Sequence, residues 1–238
     1  MAEKSQHEAP AVAIEVWYWA LRGPADRQRA LEATLTVSEQ VRAARFRDPA
    51  DADAFVWARG GLRAILGQRL SRAPGGLEFA MGPNGKPWLA GGAPVPHFNL
   101  SHSGALAALA ICDTHEVGID IECLRSMDGE VAAHFFSPAE RSDLAQLPPA
   151  AWQRGFFDCW VRKEAVVKAL GTGLSTDLKS FDVSLLPGQP PHLRRLDCDP
   201  LARQHWRLLE LRPDPAYAAA LACRTGGEPL ELSERRWD

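Results

Sequence analysis

The sequence has no framework of paired thiols. Its five cysteines, at 112, 123, 159, 198 and 223, are odd in number, widely spaced and free of any Cys-x-x-Cys pair or His/Cys cluster at metal-ligand spacing. That excludes a disulfide-stapled scaffold and a structural zinc module, and predicts reduced, mostly buried thiols. No stretch reaches the roughly 18 apolar residues of a membrane span, and the N-terminus MAEKSQHEAPAVAIEVWYW lacks the apolar core of a secretory signal. A surplus of one charge is missing too. With 27 Lys and Arg against 30 Asp and Glu the formal net charge is −3, so no general basic field awaits nucleic acid or an anionic membrane. The Gly85-Lys86 step has neither the first glycine nor the following Ser/Thr of a phosphate-binding P-loop, and no G-x-S-x-G elbow surrounds Ser101-His102. Repeats, linkers and low-complexity tracts are absent. The expectation is a cytoplasmic globular chain, 46% hydrophobic, long enough for one large domain or two lobes, that must meet any polyanion locally.

What is present reads as a mixture of strands and helices. Ala13 to Leu21 has the β-branched and aromatic content of a first strand. Ser38 to Arg72 fits two helices broken near Asp48-Pro49, the second over about 51–70 with Phe55, Leu62, Ile65, Leu66 and Leu70 near helical spacing. Ala73 to Pro96, with Pro-Asn-Gly at 83–85, reads as short strands and loops. Ala105 to Cys112 suits a buried strand. In Val117 to Cys123 the apolar Val117, Ile119 and Ile121 alternate with Gly118, Asp120 and Glu122, so the two sets face opposite sides. Ser137, Pro138 and Glu140 form a helix start, and Trp152 to Leu170 is a helix ended by Gly171 and Gly173. Strands are also expected over 181–186, 206–211 and 217–223.

The chemistry gathers in four places. Asp120 and Glu122, two apart on a strand, put two carboxylates on one side, an arrangement that suits Mg²⁺, or Mn²⁺, with phosphate oxygens completing the shell. A solvated acidic strand face explains the pair as well. On the following helix Glu164 and Lys168 are i,i+4 neighbours with Trp160 one turn earlier, which permits a third metal carboxylate beside phosphate-neutralising lysines, or merely a surface ion pair. The Phe98-Asn-Leu-Ser101-His102-Ser103-Gly104 segment reads as a turn at a strand mouth, able to hold a phosphate or nucleotide or simply to turn the chain. Gly82-Pro-Asn-Gly85-Lys86-Pro87 presents one lysine beside a rigid proline. Arginines at 42, 45, 47, 59, 63, 69 and 72 give the N-terminal half a local basic character.

In order, these segments resemble the 4′-phosphopantetheinyl transferases, specifically the larger surfactin-synthetase-activator type, from about residue 36 to 183. The resemblance implies an α+β fold of two similar α/β lobes related by a pseudo-twofold axis, with coenzyme A in the cleft between them. Carried onto this chain, it implies a division into residues 1–114 and 115–238. It also implies Mg²⁺ on Asp120, Glu122 and Glu164, phosphate contacts from Lys163 and Lys168, and a nucleotide end bound by Arg42, Lys86, Pro87, Ser101 and His102. Pro49 and Phe55 stand where some relatives have basic and hydroxyl residues, and Arg47 and Arg59 are the substitutes considered for them.

The implied reaction transfers 4′-phosphopantetheine from coenzyme A to a serine of an acyl, peptidyl or aryl carrier protein, releasing 3′,5′-ADP. Glu164, Lys168 and Glu122 are its expected catalytic residues, with the serine proton going to Glu164, to water or to Glu122. Phe135, Phe136 and the segment 124–150 are candidates for carrier docking, alongside a plain core role. Rival readings are a metal-dependent phosphohydrolase of coenzyme A or a related nucleotide, and a non-catalytic carrier-binding protein. A monomer is expected, without nucleic-acid or membrane partners.

Overall fold

The computed structural model describes residues 10–91 and 95–238. The chain runs β1 (Val12–Ala20), α1 (Ala25–Glu32), α2 (Val37–Ala43), α3 (Pro49–Leu70), β2 (Phe79–Met81), β3 (Pro87–Leu89), β4 (His97–Ser103) and β5 (Leu106–Cys112). It continues with β6 (Val117–Cys123), α4 (Gly129–Phe135), α5 (Pro138–Ala145), α6 (Pro149–Leu170), β7 (Phe181–Val183), β8 (Leu193–Leu196), α7 (Ala202–His205), β9 (Trp206–Leu211), β10 (Tyr217–Arg224) and β11 (Leu230–Arg236).

The class is α+β, and the two halves repeat one plan. One sheet has the order β11-β1-β5-β4 and the other β6-β10-β9. In each, a first strand leads through short helices to a 22-residue helix, α3 or α6, and the chain returns as an antiparallel hairpin whose second strand pairs with the first. Position 114 falls between β5 and β6, where the chain leaves the first sheet. The C-terminal β11 then comes back to pair in parallel with β1, so the first sheet is completed by the end of the chain.

Alternation on the strands creates four layers. Val12, Ile14 and Val16 of β1, Ala108 and Ala110 of β5, Val117, Ile119 and Ile121 of β6, and Ala219 and Leu221 of β10 form a core between the sheets. On the outer face of the first sheet, Trp19, Leu109 and Ile111 meet Leu62, Ile65 and Leu66 of α3. On the outer face of the second, Ala218, Ala220 and Ala222 meet Phe156, Ala165 and Val166 of α6. Asp120 is opposite Ala220. The acidic face of β6 is therefore turned to α6 and not to water, and Asp120 is only 4% exposed.

Local signals set the boundaries. Asp48 caps α3 through the Ala50 amide ahead of Pro49, and Ser137 and Glu140 make the expected reciprocal capping box on α5. Gly171, at φ 68°, ends α6 in the left-handed conformation. Gly118 has a different purpose. A Cβ there would lie 2.0 Å from the Ala165 carbonyl oxygen and 2.3 Å from the Ala169 nitrogen, so the missing side chain is what lets α6 lie directly on β6.

Lys163 departs from expectation. Its ammonium is not in the cleft but fully buried, donating to both Glu140 oxygens at 2.6 and 2.8 Å and to the Phe181 carbonyl at 2.8 Å. Glu140 also accepts from the Ser137 and Val183 amides. With every donor used inside the lobe, Lys163 has none for a phosphate. Phe136 is likewise core, 0% exposed and stacked on Phe156, which removes it as a docking residue; Phe135 is 37% exposed. Replacing Lys163 with Met leaves the Glu140 charge buried and unpaired, and should cost about 3–5 kcal/mol of unfolding free energy in urea titration. A loss below about 1 kcal/mol would contradict the role given to this pair.

Candidate active site at the seam between the sheets

The two sheets meet along β4 and β6, each an edge strand of its own sheet. The Phe98–Gly104 segment, read from sequence as a turn at a strand mouth, runs as strand through Ser103, and its side chains at 99, 101 and 103 bond the backbone of β6. Asn99 Oδ1 accepts from the Ile119 amide at 2.8 Å, Ser101 Oγ from the Ile121 amide at 3.4 Å, and Ser103 Oγ from the Cys123 amide at 3.1 Å. Two of these groups also donate forward. Ser101 Oγ donates to Asp120 Oδ1 at 2.9 Å and Ser103 Oγ to Glu122 Oε2 at 2.8 Å.

Helix α6 supplies the facing wall. Lys168 Nζ donates to Asp120 Oδ1 at 2.6 Å and to Ser101 Oγ at 2.9 Å. Asp120 Oδ2, also buried, has no hydrogen-bond partner. Burial raises the Asp120 carboxyl above its ordinary value, against the pull of Lys168 and Ser101. Burial also raises Glu164, reinforced by the negative charge of Asp120 and opposed by Lys168. Glu122 Oε2 takes a second donor, Arg125, at 3.1 Å. The structure thus brings Asp120, Glu122, Glu164 and Lys168 together. As arranged, no three His, Cys, Asp or Glu side chains among the described residues form a group that could hold a metal ion, and Asp120 and Glu122 are engaged by Lys168 and Arg125. The orphaned Asp120 oxygen and the all-oxygen donor set nevertheless suit a hard cation.

Two cavities adjoin this cluster. One of about 620 Å³ is lined by Lys86, Pro87, Phe135, Trp160, Glu164 and Lys168. The other, about 730 Å³, is lined by Arg42, Phe55, Arg59, Pro87 and His102, and both share Gly85, Pro87 and Leu100. Arg42 lies 5.3 Å from the Phe55 ring. Desolvation and the nearby Lys168 ammonium push the His102 imidazole below its ordinary value, against the pull of Glu122. Lys86 stands at the rim, donating to Glu116 and to the Val117 carbonyl.

Ser101 differs from its expected role. Because neighbours on a strand face opposite ways, His102 turns to the larger cavity while Ser101 turns to the seam, where its hydroxyl donates once and accepts twice and is full. Arg47 is exposed and lines neither cavity, and Arg59 is paired with Glu39. Sequence reasoning passed over Asn99, Ser103 and Arg125. For the first two a signal existed in polar residues at 99, 101 and 103, spaced by two like the β6 positions they bond. It also passed over Asn84, whose amide crosses to the Gly171 carbonyl at 3.0 Å.

A family model described as the 4′-phosphopantetheinyl transferase superfamily matches residues 116–222. The 4′-phosphopantetheinyl transferase HetI of Nostoc sp. is 37% identical over 213 residues, covering 88% of this chain and 86% of its own. A 4′-phosphopantetheinyl transferase of Bacillus subtilis is 32% identical over 188 residues, covering 71% and 81%. Among solved structures, the holo-[acyl-carrier-protein] synthase of Thermotoga maritima has a TM-score of 0.37 at 20% identity over 47% of this chain and 63% of that one, a likeness too partial to bear on the fold.

Glu39, in the wall of the larger cavity, yields a pH prediction. Burial opposes its ionisation, but the Thr36 amide with Arg59 and Arg63 outweighs it and holds the carboxyl below its ordinary value. A depressed carboxylate stabilises the fold fully above its unfolded value of about 4.3, and that contribution is lost as pH falls through the native value. Glu39→Gln should therefore flatten the acid limb of stability against pH in urea titrations; an unchanged slope below about pH 4.3 counts against this. The identity over most of both chains, together with the family match, shows that the chain belongs to the 4′-phosphopantetheinyl transferase superfamily.

Proposed function

We propose that the seam between β4 and β6 is where this phosphopantetheinyl transferase moves 4′-phosphopantetheine from coenzyme A to the serine of a carrier protein. The observation that carries this reading is the buried Asp120 with one oxygen unpartnered, set beside Glu164 and Lys168 at the wall of the 620 Å³ cavity. The 3′-phosphonucleotide end is assigned to the larger cavity with Arg42, Pro87 and His102, and Lys86 at the shared rim serves the phosphates. Phe135 and Trp160, edge to face at 5.5 Å, give the smaller cavity an apolar wall near which the pantetheine arm and the carrier would lie.

Asp120, Glu122 and Glu164 would hold Mg²⁺, which when bound neutralises pyrophosphate charge. Lys168, its side chain 27% exposed, is placed to exchange its bond with Asp120 for one to a phosphate oxygen. The carrier serine Oγ forms a bond to the β-phosphorus of coenzyme A as the bond to 3′,5′-ADP breaks. Glu164, at the wall of the smaller cavity, takes the serine proton, directly or through a bound water. The relatives named above are transferases, which leaves the phosphohydrolase reading without support. Among the described residues no helix is long and apolar enough to cross a membrane. We take the protein to act as a cytoplasmic monomer of two lobes divided near 114, since its cleft is built within one chain.

The test is incubation with coenzyme A, Mg²⁺ and apo carriers of fatty-acid, polyketide and peptide type, read by intact-protein mass spectrometry. One phosphopantetheine per carrier is expected, abolished by EDTA and restored by Mg²⁺. Asp120→Ala should lower kcat/KM about 100-fold or more, and Glu164→Gln should lower kcat comparably while coenzyme A binding persists. Unmodified carriers of every type, or full activity in Asp120→Ala, overturns the reading.

A further inference from the structure

Asp120 and Glu122 are supported in parallel ways. Each has one oxygen held by a serine of β4, Ser101 or Ser103, and by one cation, Lys168 or Arg125, while the other oxygen accepts nothing from the described residues. Each serine also takes the amide of the residue after its carboxylate, Ile121 or Cys123. A single hydroxyl therefore locks both the strand and the carboxylate rotamer, across the boundary between two sheets. The repeat at a spacing of two matches the pleat on both strands, so it is a property of the register and not one chance contact.

We propose that Ser103, with Ser101 as its counterpart, is a positioning residue for the metal carboxylates, holding one oxygen of each so that the other is presented to the cation. This rests on the reading of Asp120, Glu122 and Glu164 as the Mg²⁺ site. It assigns to the first lobe a direct part in metal binding, although all three carboxylates belong to the second. Ser103 is the better probe because Ser101 also holds Lys168. Among the described residues the half-buried Ser103 hydroxyl bonds only Glu122 and the Cys123 amide.

The experiment compares Ser103→Ala and Ser103→Thr in the full chain by two readouts. One is the Mg²⁺ concentration giving half-maximal carrier modification at saturating coenzyme A. The other is Mn²⁺ binding in the presence of coenzyme A, followed by electron paramagnetic resonance without turnover. Loss of an outer hydrogen bond to a metal ligand should weaken metal binding about tenfold in both readouts for Ser103→Ala. Threonine, which keeps the hydroxyl and suits a strand, should return both to within about twofold of wild type. A purely structural role would lower Tm and leave the metal dependence unchanged. That result, or threonine behaving like alanine, overturns the proposal. If Ser103→Ala does not fold, Ser103→Cys, close in size but a weak donor, replaces it; equal metal binding by the cysteine and threonine variants is then the overturning result. A wild-type protein that binds no Mn²⁺ with coenzyme A fails the metal reading itself, and the positioning role with it, whereas a normal wild type with an unmoved variant fails only the latter.

Discussion

The seam between β4 and β6 is the contact on which both the fold and the site depend. An edge strand carries a row of unpaired amides, and a buried amide without an acceptor is costly. The usual remedy, pairing the two edges into one continuous sheet, is not taken here. Instead the side chains of Asn99, Ser101 and Ser103 accept from the amides of residues 119, 121 and 123. Side chains keep the strands further apart than a ladder would, and each hydroxyl retains a proton to give. Those protons go to Asp120 and Glu122. The bonds that join the halves of the molecule are thus the bonds that orient its carboxylates.

Helix α6 divides its duties by angle. At about 100° per residue, Lys163 and Lys168 lie roughly 140° apart around the helix, so the two lysines face different surroundings. Lys163 pins the helix to α5 and β7 through Glu140, and Lys168 reaches Asp120 across the cleft. Gly118 makes the second reach possible, since any side chain there would push the helix off β6. The buried pair on one side and the close approach on the other fix both the rotation and the height of the helix. That is what places Glu164.

Most of the architecture was legible from periodicity and punctuation. Alternation in 117–123 placed Asp120 and Glu122 on one face, Ser137, Pro138 and Glu140 announced α5, and Gly171 ended α6. Legibility failed where meaning depended on a distant partner. Helical spacing separates Lys163 from Lys168 but does not say what each face meets, because their roles are set by Glu140 and Asp120, far off in sequence. The polar Phe98 to Ser103 segment read as a turn because serine and asparagine favour turns, and only the amides of β6 reveal why a strand tolerates them. The return of β11 to β1 is equally invisible in a window, since parallel pairing of the two chain ends has no local signature.

The charge balance at the seam explains how a chain of net charge −3 can take a polyanion. Asp120, Glu122 and Glu164 face Lys168 and Arg125, three carboxylates against two cations, with one formal negative charge in excess. Burial makes that excess expensive, and the raised carboxyls of Asp120 and Glu164 register the cost. A phosphate brought in alone would deepen it, whereas a divalent cation arriving with the phosphates reverses the local sign. Lys168 is the partner that a cation on Asp120 would displace under the proposed reading, since its ammonium bonds Asp120 Oδ1. A preference for a metal-complexed anion over a bare one would then follow from the deficit itself.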